Sequence, residues 1–136
     1  MRRTIEDQVV EYPTARDVFQ IAIKAMLERG AGTWCHFDDV DSPVWAEVAP
    51  NGQGLHIKLS CPYPDRLGDV LIEQILSGCA DWQIVEFRRK CLLSQGRIAF
   101  LAPPEDLDEI ASFIDSFFAN TCPKGRSYCV LGSVQS

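Results

Sequence analysis

The chain has 136 residues, 46% of them apolar and 24% charged, with a formal net charge of −6 at pH 7 and an isoelectric point near 4.8. A chain of this size buries most of its apolar surface without covalent staples, and no apolar run approaches the roughly 20 residues a bilayer-spanning helix needs. The short apolar runs set membrane aside as a partner, and the acidic balance repels a phosphate backbone, so nucleic acid is set aside too and a basic or amphipathic polypeptide is favoured.

Residues 1–13 read as an extended lead-in. Two arginines are followed at once by polar and acidic residues, without the apolar core of a secretory signal, so a cytoplasmic location is expected. Thr14-Ala15-Arg16-Asp17 has the form of a capping box with aspartate in glutamate's role. The helix it opens runs to about Arg29. Val18, Phe19, Ala22 and Met26, flanked by Ile21, Ile23 and Leu27, form its apolar stripe, and Gly30 stands where a left-handed residue closes a helix.

Thr33 to Phe37 reads as a short strand and Asp38 to Pro43 as a turn. The clearest pattern follows. Val44, Ala46 and Val48 alternate with Trp45, Glu47 and Ala49, and Leu55, Ile57, Leu59 and Cys61 alternate with His56, Lys58 and Ser60. Alternation places each set on one side of a sheet. Pro50 to Gly54 is expected as a five-residue hairpin loop.

Pro62 to Asp65 breaks the sheet, and a helix is expected from about Arg66 to Ser77, capped by Asp65 and ended by Gly78. The stretch Trp82 to Leu93 fits two periods. Val85, Phe87, Cys91 and Leu93 suit one face of a strand, whereas Ile84 and Phe87 suit a helical i, i+3 spacing. The strand is preferred because β-branched and aromatic residues dominate and Gln95-Gly96 makes a turn into Arg97–Ala102. Pro103-Pro104 then opens a last helix with an acidic first turn and the stripe Leu107, Ile110, Ala111, Ile114, Phe117, Phe118. Residues 122–136 form a C-terminal tail whose patch Tyr128–Leu131 is either an edge strand or loose. Residues 1–136 thus read as a single α+β domain: an antiparallel sheet of about five strands covered by helices, in the order αβββαββα.

Six cysteines lie at 35, 61, 79, 91, 122 and 129, with no C-x-x-C pair, which points to buried reduced thiols rather than a zinc or redox motif. Cys122 and Cys129 flank a Pro-Lys-Gly-Arg turn, and whether they pair is left open. Asp38, Asp39 and Asp41 are an acidic group but lack the loop of an EF-hand, and aspartates favour turns for their own backbone bonding. Cys35, Cys61, His36 and His56 have no zinc-finger spacing, and His56 and Cys61 belong to opposite faces. No nucleophile elbow, P-loop or dinucleotide fingerprint occurs. No catalytic residue, metal ligand or cofactor is therefore assigned.

What remains is a surface. Trp45 lies on the polar side of the hairpin with His56 and Lys58, and a large aromatic there suits an interface anchor. Arg88, Arg89 and Lys90, with Arg97 beyond the turn, are the one basic cluster, fit for an acidic partner segment or for a solvated edge. The expected function is a non-enzymatic interaction module binding a protein or peptide, with a second copy of the chain among the allowed partners. The alternative is a small-molecule-binding protein or small enzyme with a pocket lined by Cys35, His36, Asp38, Asp39 and Cys61.

The element order between Thr14 and Thr121, in a small acidic chain, resembles type III secretion chaperones and YbjN-like domains. That resemblance implies dimers and a surface that holds extended peptide segments, and it designates no site residues.

Overall fold

The computed structural model describes residues 4–5, 15–52, 54–61, 82–88 and 96–136. Its elements are β1 (Thr4–Ile5), α1 (Ala15–Arg29), β2 (Trp34–Asp39), β3 (Trp45–Asn51), β4 (Gly54–Cys61), β5 (Gln83–Arg88), β6 (Gly96–Ala102), a 3-10 turn (Pro104–Asp106), α2 (Leu107–Thr121) and β7 (Val130–Gln135). The expected helix at 66–77 lies outside the described residues.

The seven strands form one sheet in the order β1-β7-β2-β3-β4-β6-β5, and every neighbouring pair is antiparallel. The α+β class and the antiparallel sheet are borne out, with more strands than the five expected. The additions come from the chain ends. The tail supplies β7, which is neither loose nor an edge: it pairs with β2 along its whole length and with β1 on its other side. Gly132 is central to that insertion, because a Cβ there would stand 2.9 Å from Cδ1 of the Phe37 ring.

Two local expectations are corrected. The β3–β4 loop is shorter than five residues, because Pro50 pairs with Leu55 and Asn51 with Gly54. Gly52 supplies the positive φ, 56°, that a tight hairpin requires. In β5 the register shifts between Ile84, opposite Phe100, and Glu86, opposite Ala99. Val85 is the extra residue of a β-bulge and is 45% exposed, not a core-facing member of the strand. The same bulge explains the i, i+3 spacing that imitated a helix: it puts Ile84 and Phe87 at register positions opposite Phe100 and Ile98.

One face of the sheet carries the core. Cys35, Phe37, Ala46, Val48, Leu55, Ile57, Leu59, Ile98 and Phe100 alternate into it and are buried. Both described helices pack there. α1 contributes Val18, Phe19, Ile23 and Met26, while Ile21 and Leu27 at the stripe's margins stay exposed. It ends where the Gly30 N–H donates to the Met26 carbonyl at 3.1 Å, with φ of 86° at Gly30. α2 buries Ile110, Ala111, Phe113, Ile114, Phe117 and Phe118. Phe19 ties the layers together, meeting Phe37 of the sheet edge-on at 4.8 Å and stacking on Phe118 at 5.7 Å. Each such ring contributes roughly 1.5–3 kcal/mol by leaving water. Trp82 stacks on Phe100 at 5.0 Å, and its indole N–H donates to Asp106 at 2.9 Å, joining the start of β5 to the turn before α2.

Candidate functional site

The opposite face of the sheet receives the other half of each alternation, and no described helix packs on it. In β2 it takes Trp34, His36 and Asp38; in β3 Trp45, Glu47 and Ala49; in β4 His56, Lys58 and Ser60; in β6 Arg97, Ala99 and Leu101; in β7 Leu131 and Ser133. Trp45, His56 and Lys58 therefore share one face, as the alternation indicates.

Trp45 is half-buried among its own neighbours rather than bare. The His36 ring lies 5.5 Å away, near-parallel, and the Arg97 guanidinium is 5.7 Å from the indole centre. The register explains the second contact. Trp45 opposes Ser60, and Ser60 opposes Arg97, so the Arg97 side chain crosses the intervening strand to reach the ring. Ser60, between them in register, is 1% exposed. A cation over an indole face adds about 0.5–1 kcal/mol at such partly exposed sites.

His36 is the most constrained polar group of the face. Its Nδ1 meets Glu47 and its Nε2 meets Asp38, both at 3.0 Å. Glu47 is its direct cross-strand partner, and Asp38 lies two residues along the same strand. With a carboxylate at each nitrogen the doubly protonated ring donates twice, so its pKa is raised above 6.5, chiefly by the Glu47 hydrogen bond, against partial burial, with Asp38 adding to the rise. A histidine engaged at both nitrogens is poorly placed to act as a general base.

The acidic turn does not converge. Asp38 serves His36; Asp39 is buried on the helix side and accepts from the Ser42 hydroxyl; Asp41 pairs with Lys124 at 3.2 Å. Among the described residues no group of three His, Cys, Asp or Glu side chains is arranged to hold a metal ion. The pocket inventory is likewise divided. Cys35, Asp39 and Cys61 belong to the core side, and His36 and Asp38 to the open side. The Cys35 thiol donates to the Ala22 carbonyl at 3.2 Å and burial pushes its pKa up to about 12. Cys122 is raised likewise to about 12, first by burial and then by the Asp39 charge. Cys122 is buried and Cys129 exposed, both as free thiols.

Of the basic cluster, Arg88 ends β5 directly opposite Arg97; Arg89 and Lys90 lie outside the described residues. The residues that sequence reasoning passed over are His36, Glu47 and Arg97 as a group around Trp45. Alternation alone assigns His36 to the face of Asp38, but only the β2–β3 register brings it to Glu47. A separate open groove of about 550 Å³ lies at the hairpin end between Asn51, Gln83, Leu101 and Glu105.

These features define an α+β protein whose antiparallel sheet carries both described helices on one side; among the described residues the other side presents Trp45, His36, Lys58 and Arg97 part-exposed, with Ser60 and Ala99 buried beside them. Comparison with protein-family models, with curated proteins and with solved structures yields no match.

Proposed function

We propose that this chain is a non-enzymatic interaction module, chaperone- or adaptor-like, that binds a polypeptide partner on the face of the sheet opposite its helices. The observation that carries the reading is Trp45, a large aromatic at the start of the middle strand of that face, held between His36 and Arg97. A rigid aromatic held in place costs little conformational entropy on binding, which is why such residues anchor interfaces. His56 and Lys58 extend the surface along β4, and the basic run Arg88-Arg89-Lys90 in the sequence is the proposed electrostatic contribution to it. The groups that would suit catalysis speak against it: the Cys35 and Cys122 thiols are held protonated, and both nitrogens of His36 are engaged.

Light scattering of the purified protein, with capture of its partner from the native host by wild type and by Trp45→Ala, tests the proposal. The expected result is a folded Trp45→Ala protein that loses its partner or its self-association. A strict monomer whose Trp45→Ala form keeps every partner contradicts it.

A further inference from the structure

Among the described residues, the two most exposed large apolar side chains stand together at one end of the open face: Val40, 59% exposed, and Leu131, 51% exposed. The Val40 N–H donates to the Cys129 carbonyl at 2.9 Å, which carries the β2–β7 register one step past Asp39 and Val130. Val40 and Leu131 therefore fall on the same side as Asp38 and Trp45. Asp38 is directly opposite Leu131 on one flank and Trp45 on the other, and its side chain is 54% exposed. An exposed carboxylate is thus bracketed by apolar groups.

His36 holds that carboxylate only while its ring is doubly protonated. Its two nitrogens lie 3.0 Å from Glu47 and Asp38, and a neutral imidazole has one N–H for the two of them. The neutral ring keeps its proton on Nδ1, because the Glu47 hydrogen bond is the largest contribution favouring the charged ring. Nε2 is then an acceptor facing a carboxylate oxygen. An incoming ammonium, with three donors, satisfies both. The other charged and titratable groups nearby are placed elsewhere. Lys58 is opposite Glu47 and His56 opposite Ala49, Arg97 stands over Trp45, and Lys124 is paired with Asp41. From the β7 side, Cys129, Leu131, Ser133 and Gln135 face this way, none of them a cation.

We infer that Asp38 and Nε2 of the neutral His36 ring seat a lysine ammonium of the bound polypeptide, whose stem and apolar neighbours cover Leu131, Val40 and Trp45. This rests on the recognition reading above and specifies its ligand. One proton passes from His36 to solvent as the ammonium arrives, and no covalent bond changes. Proton and lysine compete for Asp38, so affinity falls as pH drops through the folded His36 value. The lysine stem lies along apolar surface while its charged head stays at the carboxylate. The chain's net charge of −6 favours a basic partner, whereas an acidic segment meets Asp38 and Glu47 and is repelled.

The test uses three fluorescein-labelled heptapeptides of alternating valine and threonine with lysine, glutamine or glutamate at the centre, their binding read by anisotropy at low salt. At about pH 8.5 the lysine probe is expected to bind at least about tenfold tighter than the glutamine probe, a difference of ~1.4 kcal/mol. At about pH 5.5, a unit below the ring's ordinary 6.5, it should bind at least about tenfold more weakly than at the higher pH. His36→Gln keeps the preference for lysine and removes its pH dependence. Asp38→Asn abolishes the preference, which keeps the result readable if the His36 variant is less stable. Equal binding of lysine and glutamine probes, tighter binding of the glutamate probe, no binding of any, or a lysine affinity that ignores pH overturns the site. Self-association that Leu131→Asp abolishes also overturns it, by placing a second copy on the patch. Partner capture by Trp45→Ala is judged separately, so failure here and failure of the recognition reading are told apart.

Discussion

The helix-covered face and the open face of the sheet are built from the same strands, one residue out of step, yet the two are held by different forces. On the covered face Ala46, Val48, Ile57 and Leu59 are wholly buried, and the interactions are dispersion and apolar burial without direction. On the open face Trp45, Glu47, Lys58 and His36 keep part of their surface in water and meet through rings and charges at fixed distances. Packing that excludes water sets stability, whereas a rigid polar array over a finished fold is free to be specified by what it meets. Neighbouring residues of β3 should therefore answer very differently to substitution.

The comparison is broken most forcefully from the covered side. Phe100→Ala removes the ring that stacks on Trp82 and meets Phe113 at 5.2 Å, and should cost about 3–5 kcal/mol in denaturant unfolding. Gly132→Ala should cost about 1–3 kcal/mol, since the new methyl is driven against the Phe37 ring inside a packed core. On the open face Trp45→Ala should lower stability by no more than about 1 kcal/mol while removing partner binding. A loss comparable to that of Phe100→Ala would erase the distinction between the faces.

Protonation sharpens it further. His36 is held above its ordinary value of 6.5 by Glu47 and Asp38, so its stabilising contribution is full below pH 6.5 and lost as pH rises through the higher folded value. An NMR titration should place the His36 ring above 6.5 and bring it down toward that value in Glu47→Gln, and the stability advantage of wild type over His36→Gln should shrink on the alkaline side. The smallest effect belongs to Lys124→Ala, which breaks an exposed pair with Asp41 and should change stability by less than about 0.5 kcal/mol.

Much of the covered face is legible in the residues themselves. The stripes of α1 and α2, the closing Gly30 and the alternation from Val44 to Cys61 are local signals, each readable within one element. What escapes is set between elements. Asn51 and Gly54 look like loop residues because of their types, and only their pairing makes them strand. Val130, Gly132 and Val134 alternate into the core, but the glycine hides the pattern, and its reason is a ring nearly a hundred residues away in sequence. The bulge at Val85 shifts the parity of β5, so a strand shows a helix-like spacing. The group around Trp45 is the hardest case. His36 reaches it from β2 and Arg97 from across β4, contacts that depend on the registers of three strand pairs and leave no mark in any single stretch.

Hydroxyl-radical footprinting of the free protein, read residue by residue by mass spectrometry, tests most directly whether one side of the sheet is sealed and the other available. The account predicts prompt oxidation of Trp45 and Leu131, with Met26 protected despite its greater intrinsic reactivity, because it is wholly buried on the inner side of α1. Trp45 as slow to react as Met26 would mean that the chain itself closes the second face, and would contradict the account.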